Sequence, residues 1–93
     1  MTHGPQRLQL SVDDPDAPAD LEAAVGALLG GHRHGAPLIV DLDGEHLPTA
    51  IVAALIGNLR RLREVGGSIA LNPTTQALRD ALRLYGLDHV FAR

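Results

Sequence analysis

The strongest constraint on the fold is an apolar run in the middle of the chain. The residues are Leu38, Ile39, Val40, Asp41 and Leu42, with β-branched residues at the centre. A short run of this kind favours a strand that is covered on both faces. Segments with the periods of strands and helices alternate on either side of it. The sequence therefore predicts an α/β fold around this central strand.

The other segments set the order of the fold. Strands are predicted at residues 8–12, 68–71 and 90–91, and helices at residues 19–29, 50–65 and 75–85. In the longest helix the predicted buried stripe is Ile51, Leu55, Leu59 and Leu62, widened by Val52 and Ile56. The order β-α-β-α-β-α-β predicts a small, mostly parallel sheet of about four strands, with helices packed against it.

Length and composition narrow the class of protein. The 93 residues are enough for one domain, of which residues 1–6 are expected to be flexible. A net charge of −3, no lysine and few aromatic side chains argue against a nucleic-acid partner. No apolar stretch approaches the roughly 20 residues of a membrane span, so no membrane insertion is expected. Without cysteine or a secretion signal, the expected location is cytoplasmic.

Two histidines have a spacing that occurs in metal sites. His32 and His34 are separated by one residue, but the chain has no cysteine and their loop contains no carboxylate. A solvated loop explains them better, and we predict no metal and no cofactor.

Four polar residues follow the predicted central strand, where open α/β sheets place ligand sites. They are Asp41, Asp43, Glu45 and His46. Carboxylates beside a histidine could perform acid–base chemistry. However, no nucleophile or glycine-rich phosphate loop accompanies them, and Asp43-Gly44 is typical of a turn. We predict no catalytic residues, and a small-ligand or enzymatic site here is the less favoured alternative.

The loop Leu47-Pro48-Thr49-Ala50 leads into the longest helix. The Thr49 hydroxyl is expected to cap the unpaired N–H groups at the start of that helix. The same position would suit a phosphothreonine, whose charge would face the positive end of the helix dipole. The residues alone favour capping and leave phosphorylation open.

Three stretches together indicate a family. They are residues 38–44 (LIVDLDG), residues 59–67 (LRRLREVGG) and residues 77–91, which close with Gly86-Leu87-Asp88-His89-Val90-Phe91. These stretches resemble the STAS domain family, which includes the bacterial anti-sigma factor antagonists and related domains in transporters. The resemblance covers residues 38–91 and implies a STAS-like fold.

In antagonists of this family the loop before the long helix reads D-S-S-G or D-S-T-G, and a partner kinase phosphorylates the first hydroxyl residue. Here Pro48 takes the place of the Asp, Thr49 that of the phosphorylated residue, Ala50 that of the second hydroxyl and Ile51 that of the Gly. The resemblance thus implies Thr49 as the phosphorylation candidate. The implied partner-binding residues are Asp43, Leu47, Pro48, Thr49, Ala50, Val52 and Ala53. The implied partner is an anti-sigma factor, a serine/threonine kinase of the ATP-binding type.

Two departures from the family pattern open an alternative. Pro48 and Ala50 replace residues of the switch, which favours a degenerate member that docks constitutively on a transporter ATPase or a stressosome-like complex. The N-terminal part is also short, so the sheet is expected to lack a strand and to leave an edge unprotected. Such an edge invites a partner, and a homodimer remains open.

Overall fold

The computed structural model describes residues 6–30 and 37–92 of the chain. Its elements are β1 (Arg7–Ser11), α1 (Ala17–Gly30), β2 (Leu38–Asp43), α2 (Thr49–Arg63), β3 (Ile69–Pro73), α3 (Gln76–Leu84) and a 3₁₀ helix (Leu87–Val90). The predicted α/β order is confirmed as far as β3 and α3. Of the N-terminal segment predicted to be flexible, residues 1–5 lie outside the described residues, whereas the Gln6 carbonyl accepts a hydrogen bond from the Ile39 N–H at 2.8 Å. None of the described helices has the length and apolar character needed to cross a membrane.

The sheet of the described residues has three strands in the order β1-β2-β3. Both pairs of strands are parallel, and Leu10, Leu42 and Pro73 lie in register across them. The predicted parallel sheet is confirmed, but the prediction of about four strands was wrong.

Gly86 ends α3 in the left-handed conformation, and the chain then turns through the 3₁₀ helix. Phe91 forms an isolated parallel bridge with Leu71 of β3, and the Ala92 N–H donates to the Leu71 carbonyl at 2.6 Å.

Within residues 6–30 and 37–92, helices cover one face of the sheet. In β2, Leu38, Val40 and Leu42 are buried, whereas Ile39 and Asp41 between them are partly exposed. Along the sheet, β2 is added beside β1 and β3 beside β2, always in the same direction. Right-handed crossovers between such strands place their helices on the same face of the sheet. The prediction that the central strand is covered on both faces was therefore wrong.

The core lies between the sheet and the helices and is built without aromatic side chains. Its buried hydrophobic residues other than Val52 belong to one cluster, and they come from every strand and helix described. The opposite side of the sheet, here called the open face, carries Arg7, Gln9, Ser11, Ile39, Asp41, Asp43, Ala70 and Asn72.

Helix α2 buries most of its predicted stripe. Ile51, Leu55 and Leu62 are at most 2% exposed, and Val52 is also buried. Ile56, however, is 41% exposed, so the prediction that it widens the buried stripe was wrong. Because successive helical residues are rotated by about 100°, Ile56 lies around the helix from Leu55, beyond the part of α2 that the rest of the fold covers.

A glycine shapes the turn after β2. Gly44 has a φ of 137°, a conformation that side-chain-bearing residues rarely adopt. A Cβ atom at this position would also collide with the Val12 side chain. The turn therefore requires glycine, and it fixes the direction in which the chain leaves β2 toward α2.

We expect Gly44→Ala to lower the free energy of unfolding by at least about 1–3 kcal/mol, the range for a residue held in a sparsely populated backbone conformation. The matched control is Gly26→Ala, where nothing lies within 4 Å of the added Cβ. Alanine is favoured over glycine inside a helix, so this control should be neutral or stabilising. Urea unfolding measures both, and equal effects of the two substitutions would contradict the role of Gly44.

Candidate functional site

The loops that follow the three strands meet at one edge of the sheet because the strands are parallel. Two threonines of the β3–α3 connection hold the loop after β2. Thr74 Oγ1 donates to Asp43 Oδ1 at 2.7 Å, and Thr75 Oγ1 donates to the Gly44 carbonyl at 2.8 Å. Thr75 is also the N-cap of α3, since its Oγ1 accepts from the Leu78 N–H at 3.2 Å. The first residues of the loop between β2 and α2 are thus anchored to the neighbouring connection.

Helix α2 begins without a side-chain cap. Its N-cap is Pro48, whose side chain has no hydrogen-bonding atom, and Thr49 is the first helical residue. The prediction that Thr49 caps α2 was wrong, because capping requires the position that Pro48 occupies. The Thr49 side chain is exposed, and the first turn of α2 contains no acidic residue. The positive end of the helix dipole therefore has no carboxylate beside it in its own helix.

A groove of about 320 Å³ runs beside the start of α2. Its lining residues are Val12, Asp13, Asp14, Pro15, Pro18, Pro48, Ala50 and Ile51. One wall is the β1–α1 turn, where Asp14 Oδ1 accepts from the Asp16 N–H at 2.9 Å. The other wall is the entry to α2. The groove is apolar at its base and carries the two exposed carboxylates of Asp13 and Asp14 on one side.

The exposed side of α2 continues this surface. Thr49, Ala50, Ala53 and Ile56 are exposed at the helical spacings that place residues on one side of α2, and we call these four residues the α2 face. Of the other predicted partner-binding residues, Leu47 and Pro48 are partly exposed beside the α2 face. Val52 is only 5% exposed, so its side chain is not available to a partner.

Asp43 lies in a different depression from the α2 entry. It lines a concavity of about 610 Å³ on the open face, together with Arg7, Gln9, Leu10, Ser11, Asp41 and Thr74. The structure thus separates the predicted partner-binding residues into two groups, and Asp43 stands apart from the α2 face.

Asp41 accepts three hydrogen bonds on the open face, two of them from Arg7 and one from Asn72. Asn72 Nδ2 donates to its Oδ1 at 2.6 Å, and Arg7 Nε donates to its Oδ2 at 2.7 Å. The hydrogen bond from Asn72, then that from Arg7, lower the pKa of the Asp41 carboxyl below the ordinary aspartate value. These contacts link all three strands, so the Asp41 carboxylate stabilises the sheet.

The four polar residues after the central strand do not form one cluster. Asp41 and Asp43 are engaged by side chains of other strands and loops, while Glu45 and His46 are exposed in the loop beyond Gly44. In the part of the chain that the structure describes, no three His, Cys, Asp or Glu side chains are grouped so that they could hold a metal ion. His32 and His34 lie outside the described residues.

Sequence reasoning missed the second wall of the groove and the exposure of Ile56. The wall comes from the Asp13-Asp14-Pro15 turn, which is distant from Thr49 along the chain. A signal was present, because this turn follows a strand, and the carboxyl ends of neighbouring parallel strands lie at one edge of the sheet.

No protein-family model matches the chain. No solved structure matches it either. Over 72 residues the chain is 40% identical to the phosphoheptose isomerase of Bradyrhizobium sp. (strain ORS 278), an alignment that covers 76% of this chain and 35% of that protein. The chain therefore spans about a third of the length of this relative. The STAS resemblance and the expectation of a non-enzymatic protein both stay predictions.

We expect Asp41→Asn to lower the free energy of unfolding at neutral pH, with an effect that depends on pH. A carboxyl whose pKa is lowered in the folded chain stabilises it fully above the ordinary aspartate pKa of about 4. That contribution is lost as the pH falls through the lower pKa of the folded state. Urea unfolding at a series of pH values should show the difference between Asp41→Asn and the unaltered chain shrinking below about pH 4.

Asn72→Ala is the companion variant. It removes the larger cause of the lowered pKa and leaves Arg7 in place. The pH dependence should therefore be reduced without disappearing. A destabilisation by Asp41→Asn that is constant from neutral pH to about pH 3 would contradict the role of the ionised carboxylate.

Proposed function

We propose that the chain is a STAS-like protein-interaction domain that binds an ATP-dependent anti-sigma factor kinase through the α2 face and the groove beside it. In this proposal phosphorylation of Thr49 weakens the complex. The observation that carries it is the exposed Thr49 at the uncapped start of α2, beside an uncharged helix surface.

The chemistry of the α2 face favours a protein as the binding partner. Ala50, Ala53 and Ile56 present small and apolar side chains, and Ile56 is a large hydrophobic residue with 41% exposure. Small side chains let a partner approach the helix backbone, and an exposed aliphatic side chain contributes free energy when a partner covers it. Pro48 and Pro15 add rigid apolar surface at the groove. These residues suit a partner with a complementary apolar patch.

Phosphate on Thr49 would change this surface strongly. It would bring about −1.5 to −2 charges into the interface, where desolvation disfavours binding. The nearby carboxylates of Asp13 and Asp14 would add repulsion against a phosphate that turned into the groove. Within the free chain the same phosphate would be stabilised by the dipole of α2 and its unpaired N–H groups. Phosphorylation would thus favour the free domain over the complex.

Phosphorylation can be tested with an anti-sigma factor kinase of the ATP-binding type. After incubation with that kinase and ATP, mass spectrometry should place a single phosphate on Thr49, since its hydroxyl is exposed and makes no capping bond. Thr49→Ala should bind and escape phosphorylation, whereas Thr49→Asp should bind more weakly. Ser68→Ala is the matched control, because Ser68 is an exposed hydroxyl residue in the connection between α2 and β3, outside the α2 face. Phosphate on Ser68 or elsewhere, with Thr49 unmodified, would contradict the switch.

The docking surface can be tested separately from the switch. We expect Ile56→Asp to weaken kinase binding by about tenfold or more, the loss typical of an interface anchor, as measured by calorimetry. Leu84→Asp is the control, because Leu84 is 88% exposed on α3 and lies outside the α2 face. Unchanged stability of both variants should be verified by thermal unfolding. Equal binding by the two variants would place the partner elsewhere.

Constitutive docking on a transporter ATPase or a stressosome-like complex is the alternative within the same family. Pro48 and Ala50 favour it, because they remove a carboxylate and a hydroxyl that the switch loop of the family carries. It uses the same α2 face but does not need Thr49. Tight binding that Ile56→Asp abolishes and Thr49→Asp leaves unchanged would support this alternative over the switch.

A second candidate function is a sugar-phosphate site, favoured by the 40% identity to part of a phosphoheptose isomerase. The unpaired N–H groups at the start of α2 could receive a phosphate. The exposed Glu45 and His46 would be the nearest acid and base in sequence. Isomerisation of a phosphoheptose by the purified chain, lost in Glu45→Gln and His46→Ala, would support this reading.

A further inference from the structure

We propose that β1 pairs with β1 of a second copy of the chain, in antiparallel orientation about a two-fold axis at Gln9, so that two sheets join into one. The inference does not depend on the proposed function, since β1 forms one edge of the sheet and the α2 face is separate from it. It rests on the main-chain groups, the register and the charges of this edge.

The outer edge of β1 has no neighbouring strand in the described part of the chain. Two bonds show which groups β2 uses: the Gln6 carbonyl accepts from Ile39 N–H at 2.8 Å, and Val12 N–H donates to the Asp43 carbonyl at 2.9 Å. Since successive residues of a strand point their main-chain groups in opposite directions, even-numbered residues of β1 face β2. The N–H and C=O groups of Arg7, Gln9 and Ser11 therefore point outward. β1 contains no proline to block this edge.

One antiparallel register satisfies this edge best. With the two Gln9 residues opposite each other, they exchange two main-chain hydrogen bonds, and Arg7 of each copy does the same with Ser11 of the other. The Ser11 carbonyl already accepts from Asp14 N–H at 3.1 Å and has a second lone pair available. Placing the axis at Arg7 instead would set two arginines directly against each other. The register at Gln9 thus uses all outward groups and avoids like charges.

The side chains of the two faces agree with this register. On the covered face, the partly exposed Leu8 would lie opposite Leu10 of the second copy and extend the apolar core. On the open face, Arg7 would lie opposite Ser11 of the second copy, whose neighbour in β2 is Asp43. Arg7 donates to Asp41 through Nε at 2.7 Å and through Nη2 at 3.4 Å, and its side chain is 56% exposed, which leaves Nη1 for a further acceptor. Each arginine could therefore bridge Asp41 of its own chain and Asp43 of the second copy.

Helix α1 leaves room for the second copy. It contacts β1 and α2, and its Pro18 lines the groove against α2. The flank turned away from α2 then carries Asp20, Ala23, Ala24 and Ala27, which lie at helical spacings of three, four and seven on one side of α1. Only two residues of α1, Asp20 and Glu22, are charged. The three alanines let the middle of α1 in each copy approach the other copy above the joined strands, while the exposed Asp20 lies at the N-terminal end of this flank.

The test uses the absence of cysteine from the chain. Gln9→Cys should form an intermolecular disulfide on mild oxidation, because opposite residues of a hydrogen-bonded antiparallel pair have Cα atoms about 5.5 Å apart, within the range of a disulfide. Ser11→Cys is the matched control. In the same register its two copies lie about 13 Å apart along the strands and should cross-link far more slowly. Non-reducing electrophoresis compares the two rates.

Proline scanning tests the same edge without a cross-link. Sedimentation equilibrium of the unaltered chain should give twice its 9.8 kDa mass at high concentration. Gln9→Pro should be monomeric and folded, since it removes an outward N–H that β2 does not use, whereas Gln9→Ala should remain dimeric. A monomer at every concentration would overturn the proposal and leave the edge to a strand of another protein. A dimer in which Ser11→Cys cross-links as fast as Gln9→Cys would overturn this register.

Discussion

The parallel pairing of three strands in sequential order is the constraint on which the rest of this structure depends. Because β2 lies beside β1 and β3 beside β2, right-handed crossovers place the helices on one face of the sheet. Because the helices lie on one face, the aliphatic residues pack into one core between the helices and the sheet, and the open face is left mainly to polar side chains. It also brings the loops after the strands to one edge, where α2 begins beside the β1–α1 turn.

The open face is stable because its polar residues satisfy one another. Asp41 receives hydrogen bonds from Arg7 of β1 and Asn72 of β3, so a side chain in the middle of the sheet ties both outer strands to the central one. Thr74 adds a similar bond to Asp43 at the end of β2. A polar network of this kind lets the open face meet water with little apolar surface, since Ile39 and Ala70 are its apolar members.

The two proposed interaction surfaces follow from the same architecture and do not compete. The α2 face lies on the helical layer at the loop edge, and its chemistry is apolar with one hydroxyl that could accept a phosphate. The edge of β1 offers main-chain groups and a self-complementary register about Gln9. A dimer formed through β1 would carry two α2 faces, so a partner could engage two domains at once.

The sequence by itself determined the first three strands and the three α-helices, because hydrophobic periodicity and glycine or proline at the ends are local signals. It also located the entry to α2, with Thr49 as its hydroxyl residue. Tertiary structure decided what local signals do not contain. The face covered by helices, and hence the exposure of Asp41, depends on the handedness of the crossovers, while the exposure of Ile56 depends on which neighbours α2 has. The residues predicted as a fourth strand do not form one, because the chain turns at Gly86 into a 3₁₀ helix. The groove joins residues distant in sequence, since only the parallel sheet places Asp13 and Pro48 at one edge.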